Sequence, residues 1–236
     1  MARPRLTKGL NNLVTSLKNN ENRVLVIGDL HLPFTLKGYL EFCKEQYDRF
    51  NCNKVIFIGD IIDNHYASYH ETDPDGLGGG DELNMAIYML RRWFRAFPKA
   101  KVIIGNHDRL IMRKAKTSQI PSRWIRDYSD VLEVPGWEFL ESYVLDDVLY
   151  IHGEGGTART RMKKELHSVV QGHRHTECYC DYLVGKTFKI FGVQVGCGIN
   201  WESYAMAYAK NFPKPAIGCG VILENGKLPI IKTMEL

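Results

Sequence analysis

Arg23-Val24-Leu25-Val26-Ile27-Gly28-Asp29-Leu30-His31 sets the pattern from which the rest of the chain is read. A short run rich in Val and Ile that ends at a turn residue reads as a strand. Its unbroken apolar character predicts burial on both faces. The same grammar recurs four times. Lys54–Ile58 runs into Gly59-Asp60-Ile61-Ile62-Asp63, and Lys101–Ile104 into Gly105-Asn106-His107-Asp108. Val148–Ile151 is followed by His152-Gly153, and Ser168–Val170 leads to Gly172-His173-Arg174-His175. Between these runs, Leu36–Phe50 carries apolar residues at helical spacing, and Glu82–Phe97 predicts a helix capped by Asp81 and stopped by Pro98. Strands alternating with helices predict an α/β architecture. The last third, Cys180–Ile231, is richer in strand and glycine signals, so a second sheet is expected to pack on the first. The expected fold is a two-sheet β-sandwich flanked by helices. With no internal repeat or low-complexity linker, residues 1–236 are read as a single domain, with a basic N-terminal extension over 1–22 expected to be helical.

At 236 residues with 44% hydrophobic composition, the chain is long enough to bury a core without disulfides or structural metal. Cysteines 43, 52, 178, 180, 197 and 219 form no C-x-x-C pair, and no secretory leader is recognisable, which predicts reduced thiols and a cytoplasmic location. Cys178 and Cys180 fit alternation along a strand better than a soft-metal site. Nothing resembles a membrane span, so no membrane partner is expected. A net charge of +4 permits anionic substrates without itself arguing for nucleic acid. The segment Asn64–Gly80, with D-P-D-G and three consecutive glycines, is unusually long for a structureless loop. A lid or substrate-contact role and a plain surface loop both remain open for it.

In open α/β sheets ligands bind beyond the carboxyl ends of the strands. Five polar blocks at five strand ends therefore converge on one crevice. Carboxylate, amide oxygen and imidazole together suit divalent Mn, Fe, Zn or Ni, with no thiolate to favour a structural zinc. If the backbone stays extended, Asp29 and His31 point the same way, as do His173 and His175. Taken singly, each block is commonplace. His152 alone reads as a hydrogen-bonded turn residue, and G-N-H-D alone as an Asn/Asp turn. The ordered set is different: five of the eight histidines fall inside these blocks, all in the same strand-end context.

The order D-x-H, G-D-x-x-D, G-N-H-D, H-G, G-H-x-H, spanning Asp29 to His175, resembles the calcineurin-like metallophosphoesterases. The resemblance implies four layers, two β-sheets flanked by helices, around a centre of two divalent metal ions, manganese foremost. It implies that Asp29, His31 and His175 bind one metal, that Asn106, His152 and His173 bind the other, and that Asp60 bridges them. His107 would be catalytic rather than a ligand, oriented by Asp63; Asp108 and Arg174 receive no role beyond turn or solvent contacts. Two cations about 3.5–4 Å apart can share a hydroxide, acidify it and clamp both oxygens of an in-line displacement. His107, paired with a carboxylate, would protonate the departing alkoxide.

Protein phosphatases of this family resemble G-D-x-x-D-R-G and G-N-H-E. Here Asn64-His65 follows Asp63, and Asp108 follows His107. Loss of the Arg-Gly removes a grip on a monoester dianion, and the motif forms are closer to the phosphodiesterase and nuclease branch. A phosphate-ester substrate is therefore expected, with DNA, RNA or nucleotides favoured and a phosphomonoesterase as the alternative. The basic residues from Lys99 to Arg126, and Arg159, Arg161, Lys163 and Lys164, either line a phosphate-binding surface or form solvated helix faces. Arg109, Arg159 and Arg161 are the candidates for substrate contact. Tyr128 and Trp124 could stack bases, although core packing is the better expectation for the tryptophan.

Overall fold

The computed structural model describes residues 21–69, 73–203 and 213–235. All but the last two residues of the expected N-terminal helical extension lie outside them. Every residue of Val24–Ile27 (β1) is buried, so the strand is covered on both faces, as its sequence requires. Tyr39–Arg49 (α1), Lys54–Phe57 (β2), Gly79–Ala96 (α2), Ala100–Ile103 (β3), Leu110–Thr117 (α3), Tyr128–Val131 (α4) and Trp137–Leu140 (β4) follow. Ser142–Leu145 (β5), Val148–Ile151 (β6), Ala158–Glu165 (α5), Ser168–Gln171 (β7), Cys178–Val184 (β8), Lys189–Val195 (β9), Gly218–Leu223 (β10) and Leu228–Thr233 (β11) complete the order.

Two mixed sheets result, in the orders β11-β10-β1-β2-β3-β4 and β5-β6-β7-β9-β8. Strands β1 to β4 are mutually parallel, and so are β6, β7 and β9. Alternation along β1 divides the core. Leu25 and Ile27 join Phe57 and the helix residues Leu40, Cys43, Leu90 and Trp93 on the outer face. Val24 and Val26 face the second sheet, where Ile56 and Ile103 meet Tyr150, Val170 and Val193. The α5 helix lies against the other side of the second sheet, so close to β9 that a Cβ at Gly192 would fall 2.7 Å from the Ala158 carbonyl oxygen. The expected helix–sheet–sheet–helix layering is therefore observed.

Three local expectations are corrected. The α1 helix begins at Tyr39 rather than Leu36, because Gly38 lies in the left-handed region at φ 90° and Leu36 N–H is bonded to Gly198 O. The α2 helix begins at Gly79 with Gly78 as its N-cap, not Asp81. Asp81 and Glu82 instead sit in the first turn, where negative charge complements the helix dipole. The last third is not a separate sheet. Its first two strands join β7, whereas β10 pairs antiparallel with β1, Val26 opposite Gly220. Non-local pairing of this kind leaves no mark in local periodicity. The Asn64–Gly80 segment contains a 3-10 turn at His65–Ala67 and ends in α2, with residues 70–72 outside the described ones. Among the described residues no helix is long and apolar enough to cross a membrane, and all six cysteines are free thiols.

Candidate metal centre

The loops after β1, β2, β3, β6 and β7 meet at one edge of the sandwich. Asp29, fully buried, accepts a hydrogen bond from His173 N–H at 2.8 Å, tying the first sheet to the second. His175 Nε2 lies 3.1 Å from the same oxygen. Asp60 Oδ1 accepts from His107 N–H at 2.8 Å, while Oδ2 lies 3.1 Å from His152 Nε2 and 3.6 Å from His31 Nε2. Asn106 Oδ1 sits 2.8 Å from both His152 Nε2 and His173 Nδ1. The seven expected ligands are thus brought together. Their carboxylates and imidazoles form one group of Asp29, His31, Asp60 and His175 and another of Asp60, His152 and His173, which share Asp60, and Asn106 stands beside the second.

Convergence does not come from extended backbone. His31 and His173 lie at φ 47° and 68°, and Asp60 at φ 48°. The ends of β1, β2 and β7 turn through the left-handed region, and there the turn, not strand alternation, aims the side chain. Two glycines leave the space that this needs. A Cβ on Gly105 would collide with Asp60 Oδ1, and one on Gly172 with Asp29 Oδ1.

The outer nitrogens determine what the inner ones present. His152 Nδ1 lies 3.0 Å from Ile58 O, a carbonyl that can only accept, so Nδ1 carries a proton and Nε2 is the nitrogen turned inward. His31 Nδ1 donates to Asp63 Oδ1 at 2.6 Å, with the same result. The inward nitrogens crowd together. His31 Nε2 and His175 Nε2 are 3.1 Å apart, and His173 Nδ1 and His152 Nε2 are 3.2 Å apart. Asp29 Oδ1 and Asp60 Oδ2 are buried without a hydrogen-bond partner among the described residues. Burial and the His107 charge lower the His31 pKa; burial and the neighbouring His152 lower that of His173. Burial opposes charge on His152, yet Asp60 pushes its pKa up to about 10. Burial likewise opposes the Asp60 carboxylate, which the charges of His152 and His107 hold well below the usual range. A buried well of carboxylate oxygens and imidazole nitrogens, two of its oxygens without a hydrogen-bond partner, fits divalent cations, and the donor set suits manganese, iron, zinc or nickel.

His107 stands beside this well. Its ring packs edge-on to His31 at 4.5 Å, and its side chain is one-fifth exposed. The Asp63 carboxylate is not its nearest partner: His107 Nδ1 is 2.7 Å from the Asp63 main-chain oxygen but 3.5 Å from Oδ1. Burial disfavours its charge, but Asp60 and Asp63 outweigh burial and raise its pKa. Asn64 Nδ2 donates to the His107 carbonyl at 3.0 Å, and Glu82 accepts from His65 N–H at 2.8 Å. Glu82 had no signal in the sequence, whereas Asn64 was visible only as a departure from the Arg-Gly pattern. Asp108 is buried and accepts from Gly105, Ile61 and Ile62 N–H at 2.8, 3.0 and 3.3 Å, a turn-stabilising role.

The three candidate substrate arginines are engaged elsewhere. Arg109 pairs with both Glu141 and Glu154, Arg159 with Asp181, and Arg161 with Glu165 at 3.6 Å. Trp124 is 81% exposed on the turn Ser122–Trp124, which overturns the expectation that it packs in the core.

A two-sheet sandwich with a carboxylate–imidazole well for paired cations is the frame of a metal-dependent phosphoester hydrolase. The sequence pattern of the calcineurin-like phosphoesterases matches residues 22–195, and the chain belongs to that family. No curated protein matches it. Among solved structures, it is similar to an archaeal phosphodiesterase at 16% identity, covering 90% of this chain and 99% of that one, with a TM-score of 0.46. Vacuolar protein sorting 29 from Cryptosporidium parvum matches at 15% identity over 92% of each chain, with a TM-score of 0.48. The nuclease MPE of Pseudomonas putida matches at 16% identity, covering 89% and 87%, with a TM-score of 0.37.

Proposed function

We propose that this chain hydrolyses phosphodiesters, those of nucleic acid or nucleotides, at a centre of two divalent metal ions, manganese foremost. Asp29, His31 and His175 would hold one ion and Asn106, His152 and His173 the other, with Asp60 shared. Bound cations there would acidify water and neutralise charge on the phosphoryl oxygens. The Ile58 carbonyl and the Asp63 carboxylate keep the outer nitrogens of His152 and His31 protonated, and so hold both rings as donors to metal. His107 is fixed through Nδ1 by the Asp63 carbonyl, which leaves Nε2 to give its proton to the departing oxygen. Its raised pKa keeps that proton in place near neutrality.

The observation that carries the choice of diester is the neutralisation of Arg109. This is the arginine that follows the G-N-H-D loop, and two carboxylates already hold it. Asn64 stands where a phosphatase would supply a second guanidinium. The second negative charge of a monoester therefore lacks a cationic partner from these positions, whereas a diester carries only one. The free thiols support a cytoplasmic location. Reconstituting the protein with Mn²⁺ and comparing kcat/KM on bis(p-nitrophenyl) phosphate and p-nitrophenyl phosphate tests the reading. Faster diester turnover is expected. A preference for the monoester would remove the diester assignment, and no turnover of either with Mn, Fe, Zn or Ni would remove the activity.

A further inference from the structure

The α3 helix leaves directly from the G-N-H-D loop, and its surroundings play no part in holding the metals. It packs on both 3-10 turns, His65–Ala67 and Ser122–Trp124. Between α3 and residues 119–125 lies a cleft of about 660 Å³, walled by Met112, Ala115, Ile120, Pro121 and Ile125. Ile104 and Arg109, which bracket the loop bearing Asn106 and His107, line its inner end. On the other side of the helix, Tyr69 is 54% exposed. The Arg113 guanidinium and Lys114 ammonium each lie 4.8 Å from its ring centroid. Arg113 also lines the cleft, so it joins the two features. Trp124, 81% exposed, lies between Ser122 and Ile125, which both line the cleft.

Pairing of the arginines separates this surface from the other basic stretch, where Lys163 and Lys164 pair with no carboxylate among the described residues. Arg159 and Arg161 on α5, and Arg174 after β7, are all in ion pairs. Around α3, Arg113, Lys114, Lys116, Arg123 and Arg126 pair with no carboxylate among the described residues, and Glu141 at the cleft is taken by Arg109. Uncompensated cations that alternate with exposed aromatic rings suit a chain of phosphates whose bases are unpaired. A duplex would keep its bases stacked and offer no faces to Tyr69 or Trp124.

We propose that single-stranded nucleic acid binds along α3, with Tyr69 and Trp124 as stacking platforms, the cleft taking apolar base surface, and Arg113, Lys114 and Arg123 following the backbone. This deepens the phosphodiesterase reading and rests on it for the direction of the strand, toward the metal centre. The test uses the full-length, Mn²⁺-loaded His107→Ala protein, so that a labelled oligonucleotide of about 12 nucleotides stays intact, with fluorescence anisotropy at low salt. The single strand should bind about tenfold or more tighter than its duplex. Tyr69→Ala and Trp124→Ala should each weaken it roughly 5- to 150-fold. Tyr88→Ala, an exposed aromatic on α2, should leave binding unchanged. Arg113→Ala and Arg123→Ala should each flatten the slope of log affinity against log salt by about 0.7. Equal or tighter duplex binding, no binding at low salt, or aromatic variants within about twofold of the parent would overturn the proposal; the last two would leave the cleft to a protein segment. Hydrolysis of bis(p-nitrophenyl) phosphate by the wild-type protein is scored separately. Diester turnover without strand binding removes only this inference, and strand binding without turnover removes only the proposed activity.

Discussion

The two halves of the centre are supported differently. On one side, His31 Nδ1 is held by a carboxylate, Asp63, at 2.6 Å. On the other, His152 Nδ1 is held by a neutral main-chain carbonyl, that of Ile58, at 3.0 Å. A carboxylate behind an imidazole raises its basicity and draws positive charge toward the ring, whereas a carbonyl mainly orients it. The Asp63 support is also conditional on more of the fold. His65 Nδ1 lies 3.9 Å from Asp63 Oδ2, and Glu82 on α2 holds the His65 amide. The Ile58 support is main chain, at the residue that follows β2. One half of the site thus has supports that mutation can reach, and the other is built into the backbone.

Asp60 belongs to both halves, so its loss should erase the comparison. Asp60→Asn is expected to bind neither ion stoichiometrically and to lose about 10³-fold or more in kcat/KM, several kcal/mol of charge stabilisation at 1.36 kcal/mol per decade. Metal analysis that still found two ions per chain would remove the shared role. His107 belongs to neither half. His107→Ala should retain both metals while turnover on a poorly activated diester falls by about 10²- to 10⁴-fold. Loss of an ion would make it a ligand instead.

Asp63→Asn sharpens the difference between the halves. Calorimetric titration should find one of the two metal affinities weakened by about 10- to 100-fold and the other nearly unchanged. An equal loss at both would mean that the two supports are equivalent.

The smallest effect concerns Glu82. It is buried, and burial pushes its pKa up to about 7 from an ordinary value of 4.5. A raised carboxyl pKa contributes stability that is fully present below about pH 4.5 and is lost as the pH climbs through 7. Glu82→Gln keeps an acceptor for the His65 amide and removes the titration. The wild-type Tm should therefore fall relative to the variant between pH 5 and 8. A constant Tm difference across that range would place the Glu82 proton elsewhere.

The strand ends and their polar blocks could be read from the sequence because the signal is local: a β-branched run that ends in a glycine and a donor. The reason the donors converge could not. Alternation along an extended strand predicts that Asp29 and His31 share a face, but His31 sits at φ 47°, and only the folded turn reveals its direction. The antiparallel pairing of β10 with β1 was equally hidden, because Val24 and Ile222 are far apart in the chain. Burial misled for Trp124, where an apolar side chain was expected to find a core that its turn does not reach. Gln194 is the opposite case, a fully buried amide whose Nε2 donates to the Gly172 carbonyl and so steadies the G-H-R-H turn. Nothing in its neighbourhood of the sequence marks it.

The hydrogen bond from His173 N–H to Asp29 has a mechanical consequence. Asp29, His31, Asp60 and Asn106 follow strands of one sheet, and His152, His173 and His175 follow strands of the other. The sandwich is a book with two leaves, and its chemistry is a clasp on one margin. Without that hydrogen bond the margin would loosen first, while the Val and Ile between the leaves still hold the spine.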